Sequence, residues 1–145
     1  MRFLSALVLA IVILMQAPAM AADAAHTAVL YKNPQCVCCE AYADYLRKNG
    51  FEVTVKPTHD MLLIKQQHGV PERLEGCHTT LIDGYVVEGH VAVAAINRLL
   101  TERPKITGIS LPGMPMGSPG MAGAKTEPLV VYEIVDGPER VYDTE

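Results

Sequence analysis

Three of the chain's four cysteines fall within four positions, Cys36-Val37-Cys38-Cys39, at a junction that the flanking patterns define. Ahead of them, "HTAVLYKN" (26–33) reads as a strand in which Val29 and Tyr31 alternate with Leu30 and Lys32. Asn33-Pro34 breaks it, because a proline has no N–H to continue the ladder. Behind them, 37–49 carries Tyr42, Tyr45 and Leu46 at helical spacing, and Asn49-Gly50 supplies a stop. A strand that passes into a helix through a cysteine cluster restricts the chain to α/β architectures with reactive sulfur at a strand–helix turn.

The remaining segments extend that pattern. "FEVTVKP" (51–57) alternates as a second strand, and 60–69 is a short helix between Asp60 and Gly69. Residues 70–76 connect it to two short strands within 77–90. These are joined by Asp83-Gly84, a pair suited to the positive backbone angles of a two-residue hairpin turn. Residues 91–103 form a helix with Val93, Ile96, Leu99 and Leu100 on one face, and Arg98 and Arg103 in its C-terminal half. The Pro-, Gly- and Met-rich stretch 104–128 predicts no regular structure. Residues 129–135 and 139–143, around Asp136-Gly137, predict a terminal hairpin. The order is β-α-β-α-β-β-α, followed by an irregular loop and a hairpin. With the cysteines where such a fold places its redox pair, it predicts a thioredoxin-like α/β domain.

Cys36 and Cys39 have the C-x-x-C spacing that brings two sulfurs to one end of a helical turn. The unpaired N–H groups and positive dipole end there favour thiolate over thiol. That makes Cys36 and Cys39 a candidate redox pair, with Cys36 as nucleophile and Cys39 resolving. Cys38 disturbs this reading, since a third thiol offers a wrong disulfide and competes for the mixed intermediate. Three convergent thiolates suit a soft metal, Cu(I) or Zn(II), and can bridge several Cu(I) ions. Cys77 opens the third strand, at the place where a thioredoxin-like fold usually carries a cis-proline facing the redox pair. There it would bring a fourth sulfur to Cys36, Cys38 and Cys39. Two structural disulfides are the alternative use of four cysteines, and each of the three pairings leaves an awkward local geometry.

The histidines and methionines divide by position. His90 ends the second strand of the hairpin, near the cysteines, and is a candidate ligand or a neighbour of the helix start. His78 points away from Cys77 if the strand is regular there, because successive side chains alternate. His26, His59 and His68 read as surface residues. Met114, Met116 and Met121 lie in a Pro/Gly loop, where core packing explains them poorly. Thioether favours Cu(I), and Met114 is the first candidate because Pro112-Gly113 and Pro115 constrain its backbone.

These motifs resemble those of the small periplasmic copper-resistance proteins of the CopG type, a domain-of-unknown-function family of metal-binding proteins. The matching segments, in order, are "CVCC" (36–39), "GVPERLEGCHT" (69–79), "GYVVEGHV" (84–91) and "LPGMPMGSPGM" (111–121). The resemblance covers roughly residues 28–121. Val37 stands where members usually carry glycine, a change that removes no ligand. The resemblance implies a thioredoxin-like fold, copper tolerance and thiolate binding of Cu(I), with a multinuclear cluster within its scope. It implies Cys36, Cys38, Cys39 and Cys77 as sulfur ligands, with Met114 beside them.

Compartment and charge bound the partners. Arg2, an apolar run from Phe3 to Met15 and Ala19-Met20-Ala21 match a cleaved signal peptide over 1–21, leaving a single domain over 22–145. The run is shorter than the roughly 20 residues a membrane span needs. No lipobox cysteine follows, so the mature chain is expected in the periplasm and off the membrane. A formal net charge of −4 without basic clusters argues against nucleic acid as a partner. Copper ions and other copper-resistance proteins are the expected partners. The leading expectation is a copper-binding protein that prefers Cu(I) and couples thiol redox to the Cu(I)/Cu(II) couple. A thiol–disulfide oxidoreductase acting on proteins and a copper chaperone are the alternatives.

Overall fold

The computed structural model describes residues 25–145, so the expected signal peptide lies outside the described residues. The elements are β1 (Thr27–Lys32), α1 (Val37–Lys48), β2 (Glu52–Pro57), α2 (Met61–Gln67), a single 3₁₀ turn (Glu72–Leu74), β3 (His78–Ile82), β4 (Tyr85–Glu88), α3 (Val93–Glu102), β5 (Gly108–Ser110), β6 (Val130–Ile134) and β7 (Val141–Thr144). The strands form one sheet in the order β2-β1-β3-β4-β5-β6-β7. β1 runs parallel to β2 and β4 parallel to β5, while the other neighbours are antiparallel. The mixed α/β class expected from the sequence is what forms.

Local chemistry explains the main joints. Cys36 is the N-cap of α1 and its side chain makes no capping hydrogen bond, so the helix start keeps unpaired N–H groups beside the sulfurs. Glu40 in its first turn and Arg47 and Lys48 in its last complement the dipole. The turn between β3 and β4 has positive φ at both Asp83 (47°) and Gly84 (86°), as its sequence predicts.

Alternation divides the sheet into two faces. Leu30 and Val87 pack with Tyr42, Ala43 and Leu46 of α1 and Ile96 and Leu99 of α3 in the main core. Val86, one residue before Val87, packs with Val70, Leu74 and Ile134 in a smaller cluster on the other face. Truncating a fully buried side chain such as Leu46 to alanine would cost about 2–5 kcal/mol.

The stretch 104–128 corrects one expectation, since it is not irregular throughout. Gly108–Ser110 form β5, paired with β4 on one side and β6 on the other. Three residues are too few to show alternation, and glycine is a poor strand former. What makes the strand is its surroundings. A Cβ on Gly108 would overlap the Val86 carbonyl, and Ile109 is fully buried in the main core. The terminal hairpin is thereby an extension of the central sheet.

Candidate metal centre

The four cysteines meet at the C-terminal ends of β1 and β4 and the entrance to β3. The sulfurs of Cys36, Cys38, Cys39 and Cys77 all lie within 4.8 Å of one another. Cys36 and Cys39 are joined as a disulfide, with Cα atoms 5.4 Å apart. Cys38 and Cys77 are free and partly buried. Cys38 Sγ is 3.4 Å from Cys36 Sγ, and Cys77 Sγ is 3.6 Å from Cys39 Sγ across 38 positions of sequence. The two-disulfide alternative does not form. One bridge forms, and the two remaining thiols stay against it.

Cys77 reaches the cluster because its approach is built from residues without side chains. A Cβ on Gly76 would come 2.7 Å from Gly89 Cα, and one on Gly89 would overlap the Leu111 carbonyl oxygen. Gly113 N–H donates to Glu75 O (2.9 Å), and Gly113 forms an isolated bridge to Gly76. The segment before β3 is therefore wedged between the end of β4 and the chain that leaves β5.

Two histidines adjoin the sulfurs. Cys77, His78 and His90 form a second close group, with both rings buried. His90 Nε2 is 3.0 Å from Cys77 Sγ, and His78 Nδ1 is 3.2 Å from the same atom. This corrects the expectation for His78. Alternation applies within a strand, and Cys77 lies before β3 begins, so His78 is free to turn its ring toward Cys77. His90 Nδ1 is 2.6 Å from the carbonyl oxygen of Pro119. A carbonyl only accepts, so Nδ1 carries the proton and Nε2 presents its lone pair to Cys77. Among the described residues His78 Nε2 has no hydrogen-bond partner. Tyr42 supports both rings, with centroids 4.5 Å from His78 and 5.2 Å from His90, and its hydroxyl donates to Val91 O (2.8 Å).

The methionines lie differently. Gly113 is held next to Gly76, and Met114 after it is 57% exposed. Met116 is also exposed, and Met121 is partly buried. The structure thus brings together four cysteines and two histidines, and leaves the Met114 side chain on the surface beside the approach to Cys77.

Residues 74–121 match the family described as "Protein of unknown function, DUF411". A solved structure described as "Copper resistance protein copG- Form 2" is 36% identical, with a TM-score of 0.77, covering 83% of this chain and 98% of that one. The chain belongs to the CopG family of copper resistance proteins. A second CopG structure, "Form 1", is 37% identical with a TM-score of 0.76 and covers 82% of this chain and 96% of that one. No curated protein matches. The resemblance carried by the four sequence motifs is therefore borne out, and the matched segment 74–121 runs from just before Cys77 to Met121.

In this CopG chain burial favours the uncharged forms of the groups around Cys77. Burial, with Cys38 beside it, pushes the Cys77 thiol up to about 12. Burial lowers His78 well below the ordinary histidine value, and the neighbouring His90 and Lys65 lower it further. Burial also lowers His90, while its bond to Pro119 opposes the shift. Both rings are thus neutral at pH 7, the form that binds metal. Cys77 stays a thiol until something positive displaces its proton.

Proposed function

We propose that this chain is an exported, periplasmic copper-binding protein that holds Cu(I) through Cys36, Cys38, Cys39 and Cys77. His90 completes the donor set, and Met114 supplies a thioether at its edge. The observation that carries this reading is the convergence of four sulfurs within 4.8 Å, with neutral imidazole nitrogen 3.0 Å from Cys77. Thiolate and thioether are soft donors that prefer Cu(I), and sulfurs this close can bridge more than one ion. The two CopG structures are described as copper resistance proteins, which supports copper as the guest. The β2-β1-β3-β4 half of the sheet, with α1 and α3, we take as a thioredoxin-like unit, with the sulfurs at its strand–helix turn.

The Cys36–Cys39 pair also supports redox exchange with the ion. Two thiolates give one electron to each of two Cu(II) ions. The products are two Cu(I) ions and the Cys36–Cys39 bond, which leaves Cys38 and Cys77 as the thiol ligands; the four-thiolate site needs that bond reduced by two electrons from an external thiol or other reductant. Titration of the reduced protein with Cu(I) against a competing chelator tests the binding. Wild type should outcompete Cys36→Ser/Cys39→Ser by orders of magnitude, and equal affinity overturns the reading.

A thiol–disulfide oxidoreductase acting on proteins is the second reading, favoured by a disulfide at the start of α1. On that reading metal-free protein reduces insulin catalytically, and Cys77→Ala keeps the activity. On the copper reading Cys77→Ala weakens Cu(I) binding and lowers the number of ions bound.

A further inference from the structure

Two lysines are buried where strand and helix patterns would place apolar side chains. Lys32 at the end of β1 is 2% exposed, and Lys65 in α2 is 5% exposed. A buried ammonium is costly unless it is fully hydrogen-bonded or paired, so its partners are informative. Lys32 Nζ donates to the carbonyls of Asn33 (3.3 Å) and Pro34 (3.2 Å), and lies 2.9 Å from Glu40 Oε1. Asn33 and Pro34 precede Cys36, and Glu40 follows Cys39. Lys65 Nζ donates to Gly76 O (3.0 Å) and Thr79 Oγ1 (3.4 Å), and pairs with Glu88 Oε1. Glu88 accepts in turn from Gly76 N–H (2.8 Å) and from the Thr79 hydroxyl (2.6 Å). Gly76 precedes Cys77, and Thr79 follows His78. Each buried cation therefore grips one sulfur-bearing segment on both sides of its cysteines.

The two grips come from opposite faces of the sheet. Lys32 lies on the Leu30 side, against α1, and Glu88 lies on the Val86 side, against α2. They share adjacent rungs, because Lys32 pairs with His78 and Thr79 pairs with Glu88.

We infer that Lys32 and the Lys65–Glu88 pair are positioning residues for the sulfur cluster, fixing the Cys36–Cys39 turn and the Cys77 segment at one end of strands β1, β3 and β4 before any metal binds. The purpose assigned to this geometry rests on the copper-binding reading, while the geometry itself does not. A purely structural role makes a different prediction. Replacing a buried ion pair with apolar side chains of similar size is often neutral or stabilising for the fold. The pair's loss should therefore be felt at the sulfurs more than in the melting temperature.

The test uses reduced, metal-free protein and the variants Lys65→Met/Glu88→Leu and Lys32→Met. Three readouts are followed: thermal unfolding, bridging of nearby thiols by the short fluorogenic reagent dibromobimane, and Cu(I) affinity against a chelator. Both variants should melt cooperatively near wild type. Peptide mapping should show Cys77 bridged to the 36–39 segment several-fold less in the double variant. Cu(I) affinity should fall roughly tenfold or more, as for other supporting partners of metal ligands. Lys32→Met should instead disturb bridging among Cys36, Cys38 and Cys39. Folded variants that bridge and bind Cu(I) like wild type overturn the inference. A double variant that does not fold makes the pair structural and overturns its assignment, leaving Lys32→Met to decide the other grip. If bridging falls as expected but wild type binds no Cu(I), the positioning stands and the copper reading fails.

Discussion

Cys77 Sγ lies 3.0 Å from Nε2 of His90, thirteen residues further along the chain. That contact joins the sulfur cluster to the loop beyond β5, because the other nitrogen of the same ring is held by Pro119. His90 thus links the Cys77 segment to the loop beyond β5. Replacing His90 by glutamine keeps a donor for the Pro119 carbonyl but removes the imidazole. Cu(I) affinity should fall roughly tenfold or more, with the fold retained. Chelator competition on the reduced variant measures it, and an unchanged affinity would remove His90 from the donor set.

Cys77→Ser separates metal binding from disulfide chemistry. Its sulfur is 3.6 Å from Cys39, yet it takes no part in the Cys36–Cys39 bond. The variant should still form that bond in air, seen as a two-hydrogen mass loss. Its Cu(I) affinity should drop by about tenfold or more, with fewer ions bound at saturation.

The buried rings make stability depend on pH. His78 and His90 both have folded values lowered by burial. In the unfolded chain a histidine takes up its proton near pH 6.5. Stability from these rings is therefore fully present above about pH 6.5 and is lost as the pH falls toward their folded values. Each ring removes at most about 1.4 kcal/mol per pH unit in that window. Thermal unfolding of metal-free protein between about pH 7 and 5 should show the loss, and His78→Gln/His90→Gln should flatten it.

Gly76→Ala tests how Cys77 is delivered. The added methyl would come 2.7 Å from Gly89 Cα, and backbone on both sides leaves no flexible side chain to yield. The expected cost is about 1–3 kcal/mol in denaturant unfolding, together with weaker Cu(I) binding. Wild-type stability would mean that the approach of Gly76 to Gly89 is looser than the structure describes.

Much of the site could be read before the fold was known, because cysteine spacing and helix-start chemistry are local. Cys36, Cys38 and Cys39 needed only the break at Asn33-Pro34 and the helical pattern after it. Cys77 needed the fold as well, and the element order supplied it. His78 was misjudged because strand alternation was carried one residue past the start of β3. Lys32 and Lys65 were invisible for another reason. A lysine in a strand or short helix reads as surface, and burial by the carbonyls after Lys32, or by Gly76 and Glu88 around Lys65, leaves no mark on spacing. β5 failed the same way, since Gly108, Ile109 and Ser110 carry no pattern of their own and are ordered by the strands on either side.

The joining of the terminal hairpin through β5 bears on when this chain can fold. Leu129, Val131 and Tyr142 sit in the same core as Leu30, Tyr42 and Ile96. Leu129 and Glu145 exchange both backbone hydrogen bonds at the far edge (2.9 Å each). A nascent chain that still lacks these last residues has an incomplete core, with apolar surface on α1 and α3 waiting for its partners. On the exported reading proposed above, that dependence on β6 and β7 would keep the polypeptide threadable until the hairpin has been made. β6 and β7 would then act as the latch that closes the core.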